Sequence, residues 1–116
     1  MEYLLLIYGD EKARGSLTPA ETGQMYAAYG AYTQALIDAG ALRGGNELKP
    51  TSAATSVRLV GGKPQVLDGP YAETKEQLGG YYLIDVPDLD AAIAWAARCP
   101  GAQHGTMEVR PVNPHG

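Results

Sequence analysis

Asp68 and Glu73 stand five residues apart, and Lys75 follows two residues after the second carboxylate. Two carboxylates held this close suit acid–base work, one accepting a proton and the other returning it, once burial or a neighbouring charge tunes them. Lys75 would stabilise a developing negative charge, and Thr74 adds a hydroxyl for orienting a polar ligand. A placed side chain contributes about 10²–10⁴-fold by proton transfer, enough for isomerisation or elimination on an activated substrate. Hydrolysis of an unactivated amide needs more, so protease-like roles are excluded. The same residues also read as a turn: Asp before Gly69-Pro70 starts one readily, and Glu73 with Lys75 makes an ordinary solvated pair. Both readings remain open at this point.

A second group is Arg58, Glu108 and Arg110. Glu108 and Arg110 are two apart in a strand pattern and so share a face. With Arg58 on a neighbouring strand they would form a clamp for an anion or carboxylate. An exposed or interfacial ion pair is the commoner use of such residues. Tyr81 or Tyr82, with Tyr29 and Tyr32, could line a pocket for a ring-shaped ligand; buried tyrosines more often form core with a satisfied hydroxyl. His104 is placed to act as a general base or to sit plainly in a loop. His115 lies in a Pro/Gly tail. Two histidines without acidic residues at ligand spacing make no metal site. Cys99 follows a helix C-terminus, where the dipole disfavours a thiolate, and reads as a packing residue. No phosphate-binding Gly loop, nucleophile elbow or CxxC is present, so no cofactor is expected.

These residues have to be positioned by a modest scaffold. The 116 residues fit one domain, with 45% hydrophobic and 19% charged residues. A net charge of −4 without a basic run excludes a nucleic-acid footprint and an anionic membrane surface as partners. A single cysteine cannot form an internal disulfide, and the apolar run Tyr3–Tyr8 is too short to span a membrane and lacks the basic lead-in of a signal peptide. A cytoplasmic protein is the expectation.

Tyr3–Tyr8 is apolar on both alternating faces, which places that strand in the middle of a sheet and leaves one face needing a cover beyond the domain's own helices. Gly9–Leu17 reads as irregular. Thr18-Pro19-Ala20-Glu21 is a capping box with proline at the first helical position, and Met25, Tyr29, Tyr32, Leu36 and Ala39 form the buried stripe of a helix that stops at Gly40. Residues 42–54 form a connector with a short strand near 47–49. Thr55–Val60 and Gln65–Leu67 are the arms of a hairpin turning at Gly61-Gly62. Tyr81–Val86 is a strand, and Asp88 caps a second helix with Leu89, Ala92, Ile93, Ala96 and Ala97 inward. Thr106–Val112 is a last strand whose Pro111 implies an edge. This order is a split βαβ arrangement with an inserted hairpin.

The run Asp68-Gly69-Pro70-Tyr71-Ala72-Glu73-Thr74-Lys75-Glu76 resembles the signature of the DGPF-type branch of the YCII-related proteins, with Tyr71 where that branch usually has Phe. Residues 1–10, 79–86 and 108–111 agree with the same family. The resemblance implies a single ferredoxin-like α+β domain over residues 1–116, of the dimeric α/β-barrel type. It also implies a homodimer whose function is largely unassigned. Related YCII-type proteins that resemble lyases take a histidine of a His–Asp pair from the first helix, where this chain has Tyr29 and Tyr32 and no histidine. Two functions follow: a dimeric small-molecule binder or cofactor-free acid–base enzyme with its pocket at the Asp68–Glu76 loop, or a non-catalytic accessory module. The second rests on the family's frequent placement beside extracytoplasmic-function sigma factors and implies a regulatory protein partner.

Overall fold

A computed structural model of the chain describes residues 1–115. Four antiparallel strands form the main sheet: β1 (Glu2–Gly9), β2 (Leu42–Glu47), β5 (Gln77–Asp85) and β6 (Thr106–Pro111), in the spatial order β2-β5-β1-β6. Strands β3 (Thr55–Val60) and β4 (Lys63–Asp68) pair only with each other. The three helices are α1 (Glu11–Gly15), α2 (Pro19–Asp38) and α3 (Leu89–Arg98). The molecule is an α+β protein compatible with a ferredoxin-like fold. No helix among the described residues is long and apolar enough to cross a membrane.

β1 lies between β5 and β6, as its two apolar faces require. Tyr3 and Leu5 are buried on the helix side with Ile84 of β5, while Leu4 pairs with Leu83 and Leu6 with Tyr81 on the opposite side. The molecule is only 19 Å through its shortest dimension, about the depth of one helix layer on one sheet. Helices therefore cover a single face.

α2 begins as its sequence dictates. The Thr18 hydroxyl accepts from the Glu21 amide (3.1 Å), and the Glu21 carboxylate accepts from the Thr18 amide (3.0 Å), which holds the Glu21 carboxyl below its ordinary range. Gly40 then ends it at φ +68°, a conformation open to glycine at little cost. At α3 the Asp88 carboxylate accepts from the Ala91 amide (2.9 Å).

The inward stripes differ from the sequence expectation. On α3, Ala92 and Ala96 are buried but Leu89 and Ile93 are half exposed, because the helix turns Trp95 and Cys99 toward Tyr32 instead. On α2, only Tyr32 and Leu36 are buried.

Three further segments were expected differently. Asp10 caps α1 through the Lys12 amide (2.9 Å), so residues 11–15 are helical rather than irregular. The connector begins with six residues of strand, since Leu42–Glu47 uses its glycines to lie close on β5: a Cβ on Gly45 would fall 2.9 Å from the Tyr81 carbonyl oxygen. β5 likewise begins at Gln77 and absorbs Gly79 and Gly80. The hairpin forms as expected, its tip at Gly61 and Gly62 with φ +58° and +79°, the signs that a type I′ turn needs.

Leu36 is fully buried and its neighbour Ile37 is 50% exposed. Leu36→Ala is expected to lower the unfolding free energy by about 2–5 kcal/mol in urea titrations. Ile37→Ala should stay within about 0.5 kcal/mol of wild type.

Candidate functional site

A cleft opens between α2 and the sheet because the helix packs closely only along its C-terminal half. Tyr32 and Leu36 are buried there, Tyr29 and Met25 one and two turns earlier are half-buried, and Tyr26 is exposed. Ala28, which borders the cleft between Met25 and Tyr29, is too short to close the gap. The cleft has two lobes of about 370 and 440 Å³, each in the range of small-molecule sites. Ile7, Arg14, Met25, Tyr29 and Gly79 border both.

The first lobe lies over β2 and β5. Four of its bordering residues are glycines, Gly44, Gly45, Gly79 and Gly80, so much of its floor is bare backbone. Arg14 reaches in from α1 and takes the space a side chain at position 79 would fill: a Cβ there would lie 2.9 Å from Arg14 Nη1. Glu47, at the end of β2, accepts a hydrogen bond from the Tyr26 hydroxyl (2.9 Å) and lies 3.9 Å from Arg14 Nη2. The second lobe extends past Tyr29 toward Gln24, Pro100 and His104.

The phenols at this cleft, and the buried Cys99 thiol beside Tyr29, are shifted away from neutral pH. Tyr29 is pushed up to about 12, chiefly by burial and then by the Cys99 thiol, with Arg14 pulling the other way. Its hydroxyl fits beside Gly101, where a Cβ would approach it to 2.8 Å. Burial raises Tyr82, opposed by its hydrogen bond with Thr33 (2.7 Å). Tyr26 is raised by the hydrogen bond it donates to Glu47. Burial also raises Cys99, which is 1% exposed. All four stay protonated at neutral pH and serve as donors or packing groups, not as bases.

The residues singled out in the sequence are dispersed. Asp68 ends β4, and Glu73, Thr74 and Lys75 follow in the next loop; all four are exposed, and none borders either lobe. The loop is instead tied down by its neighbours. The Thr74 hydroxyl donates to the Glu76 carbonyl, Gln77 Nε2 donates to the Thr74 carbonyl (2.6 Å), and the Thr106 hydroxyl donates to Glu76 Oε1 (2.7 Å). Gly69, at φ +98°, closes the base of the hairpin by donating to the Ala54 carbonyl (2.7 Å). Arg58 lies on β3 in the separate hairpin, away from Glu108 and Arg110, so the three form no clamp within the subunit. Arg110 Nε donates instead to Glu108 Oε2 (2.7 Å). Tyr81 borders the first lobe, but its pairing with Leu6 turns the ring to the helix-free face, where its hydroxyl accepts from Asn46 Nδ2 (3.0 Å). His104 is exposed at the rim of the second lobe. Of the tyrosines, Tyr32 is core, and Tyr29 and Tyr82 face the cleft.

The family model for the YCII-related domain matches residues 1–115. The chain belongs to the YCII-related family. It is also similar to an uncharacterized protein of Rhizobium meliloti (strain 1021), 39% identical over 114 residues that cover 97% of this chain and 92% of that protein.

Within this YCII-related chain, sequence reasoning missed Arg14, Glu47, Tyr26 and Met25 as cleft residues. Arg14 and Glu47 fell in segments read as irregular or as connector. The available signal was the pair of glycine doublets, Gly44-Gly45 and Gly79-Gly80, each standing in or beside a strand pattern.

Tyr29 gives a pH test. Its proton is held more tightly in the folded state than in the unfolded chain, where a tyrosine titrates near pH 10. Its contribution to stability is therefore complete below about pH 10 and is lost as pH rises through about 12. Tyr29→Phe should flatten the fall in stability across that window, followed by denaturation midpoints at each pH.

Proposed function

We propose that this YCII-related protein binds a small organic molecule in the cleft between α2 and the sheet, and that it works as a homodimer. The observation that carries the first part is the junction of the two lobes at Arg14 and Tyr29: one cation and one protonated phenol among apolar walls, a few placed polar groups in a mostly apolar recess. Binding is favoured over acid–base turnover because the cleft's phenols are shifted toward their neutral forms. The exposed Asp68 and Glu73 are, in this reading, part of the loop that shapes the hairpin base.

The homodimer rests on two apolar surfaces that the subunit's own helices leave bare. One is the helix-free sheet face with Leu4, Leu6 and Leu83. The other is one side of the hairpin, where Val57, Leu59 and Val66 are 61%, 72% and 59% exposed. A two-stranded ribbon alone in water is marginally stable at best, and large apolar patches on a monomer are uncommon. Apposed helix-free faces would give the dimeric α/β-barrel arrangement that the DGPF-type signature implies.

Light scattering at micromolar concentration is expected to give twice the chain mass; a monomer mass overturns the dimer. For the site, a thermal-shift screen of small acids and aromatic metabolites should find compounds that stabilise the protein. The gain is about 2.7 kcal/mol at a hundredfold excess over Kd. Met25→Trp, which fills the cleft, should abolish the shift, whereas Asp68→Asn and Glu73→Gln should retain it. Loss of the shift in the two carboxylate variants, with Met25→Trp unaffected, would move the site to the loop.

A further inference from the structure

Resting on the binding reading above, we propose that the ligand is a monoanionic organic acid with a flat apolar body, its carboxylate seated on Arg14 and its body over the glycine floor of the first lobe.

The charge argument starts from what borders the cleft. Arg14 is the one Lys or Arg side chain at either lobe among the described residues. Its guanidinium presents a planar fork of donors suited to a carboxylate. Glu47 is the one carboxylate within ion-pair range of it among the described residues, and at 3.9 Å it is beyond hydrogen-bonding distance. Glu47 stands on the edge strand β2, half exposed, and its Oε1 already accepts from Tyr26. It can turn to solvent without leaving a buried charge behind. The ligand's carboxylate would take the place on Arg14 that Glu47 approaches but does not fill.

The remaining charges set the limit at one. Asp10 and Glu21 border the second lobe and Glu47 the first, so a second negative charge on the ligand would meet carboxylates and no further lysine or arginine. A phosphate or dicarboxylate is thereby disfavoured.

The shape argument comes from the strands. Four glycines thin the floor of the lobe: Arg14 lies over Gly79 and the Tyr82 ring beside Gly45, and a planar group would lie alongside them against the backbone of β2 and β5. Met25, Tyr29 and Tyr82 supply apolar and aromatic walls for its faces and edges. Gly79 serves both parts, since it admits the guanidinium to that floor.

The experiment uses 2-naphthoate and its neutral isostere 2-naphthamide, titrated at low salt into ¹⁵N-labelled protein, with amide signals of Ile7, Tyr29 and Gly79 followed by NMR. Naphthoate is expected to bind at least tenfold more tightly than naphthamide. Arg14→Gln should bring the two to equal affinity, and Glu47→Gln should tighten naphthoate alone. Gly79→Ala is a second route to the same end: its methyl group displaces only the tip of a flexible side chain, so the fold is kept and the acid preference should fall. Equal affinities for acid and amide in the wild-type protein, with the cleft signals moving for both, would overturn the acid assignment and leave the binding reading standing. No movement of these signals with either compound would overturn the assignment of a flat aromatic body, and the broader thermal-shift screen then decides separately whether the cleft binds at all.

Discussion

Tyr32 reaches from the middle of α2 into the core and joins the layers there. Its ring meets Tyr82 of β5 edge-on at 5.3 Å between centroids and Trp95 of α3 at 6.1 Å, and its hydroxyl donates to the Trp95 carbonyl (2.8 Å). Edge-to-face pairs of this kind add about 0.5–1.5 kcal/mol beyond area burial, and the hydroxyl's partner removes the penalty of burying it. With Leu36 one turn on, this contact fixes the C-terminal half of α2 against the sheet. The N-terminal half continues the same axis with Met25, Ala28 and Tyr29 over the space beneath it, so the separation that becomes the cleft follows from where the helix is anchored.

The same anchoring gives α1 its part. This five-residue helix follows β1, and it holds two distant parts of the chain through residues three apart. The Glu11 carboxylate accepts from the amide and hydroxyl of Thr51 (2.7 and 2.8 Å), and the Glu11 amide donates to Gln77 Oε1 (3.0 Å). Arg14 turns the other way, over Gly79. One turn of helix thus fastens the lead into the hairpin and supplies the cleft's cation. The signature segment is bound into this arrangement at both ends, through Gly69 at the hairpin base and Glu76, whose carboxylate accepts from the Thr106 hydroxyl.

Much of the scaffold could be read from local chemistry. The capping box at Thr18, the glycine stop at Gly40, the Gly61-Gly62 turn and the doubly apolar β1 each act through neighbours in sequence, and each is where its residues indicate. The cleft was harder to see because it depends on spacing between elements. Met25 and Tyr29 have the periodicity of core residues, and whether they reach a partner is decided by the angle at which Tyr32 and Leu36 set the helix. β2 escaped notice because its glycines carry no strand propensity; it exists through close backbone pairing with β5. Asp68, Glu73 and Lys75 drew attention because charge clustered in a short run looks like a site; within the subunit all three are exposed and border neither lobe of the cleft.

The bare surfaces follow from how the apolar residues are divided. The alternation of β1 sends Tyr3 and Leu5 to the helices and Leu4 and Leu6 to the far side, and two helices can cover only one side. The hairpin carries exposed apolar residues on both of its sides: Val57, Leu59 and Val66 point one way, and Val60 and Leu67 point the other, beside Arg58, Lys63 and Gln65. A two-stranded ribbon with apolar residues exposed on both sides is suited to lying on a surface, not to standing in water. Its own subunit offers it none in the pairing of its strands, which is confined to β3 and β4. A second copy brings an apolar sheet face of the same composition, and a two-fold arrangement would satisfy both chains at once. The cleft lies on the helix side of the sheet, so that arrangement would leave its lobes reachable while the opposite face is covered.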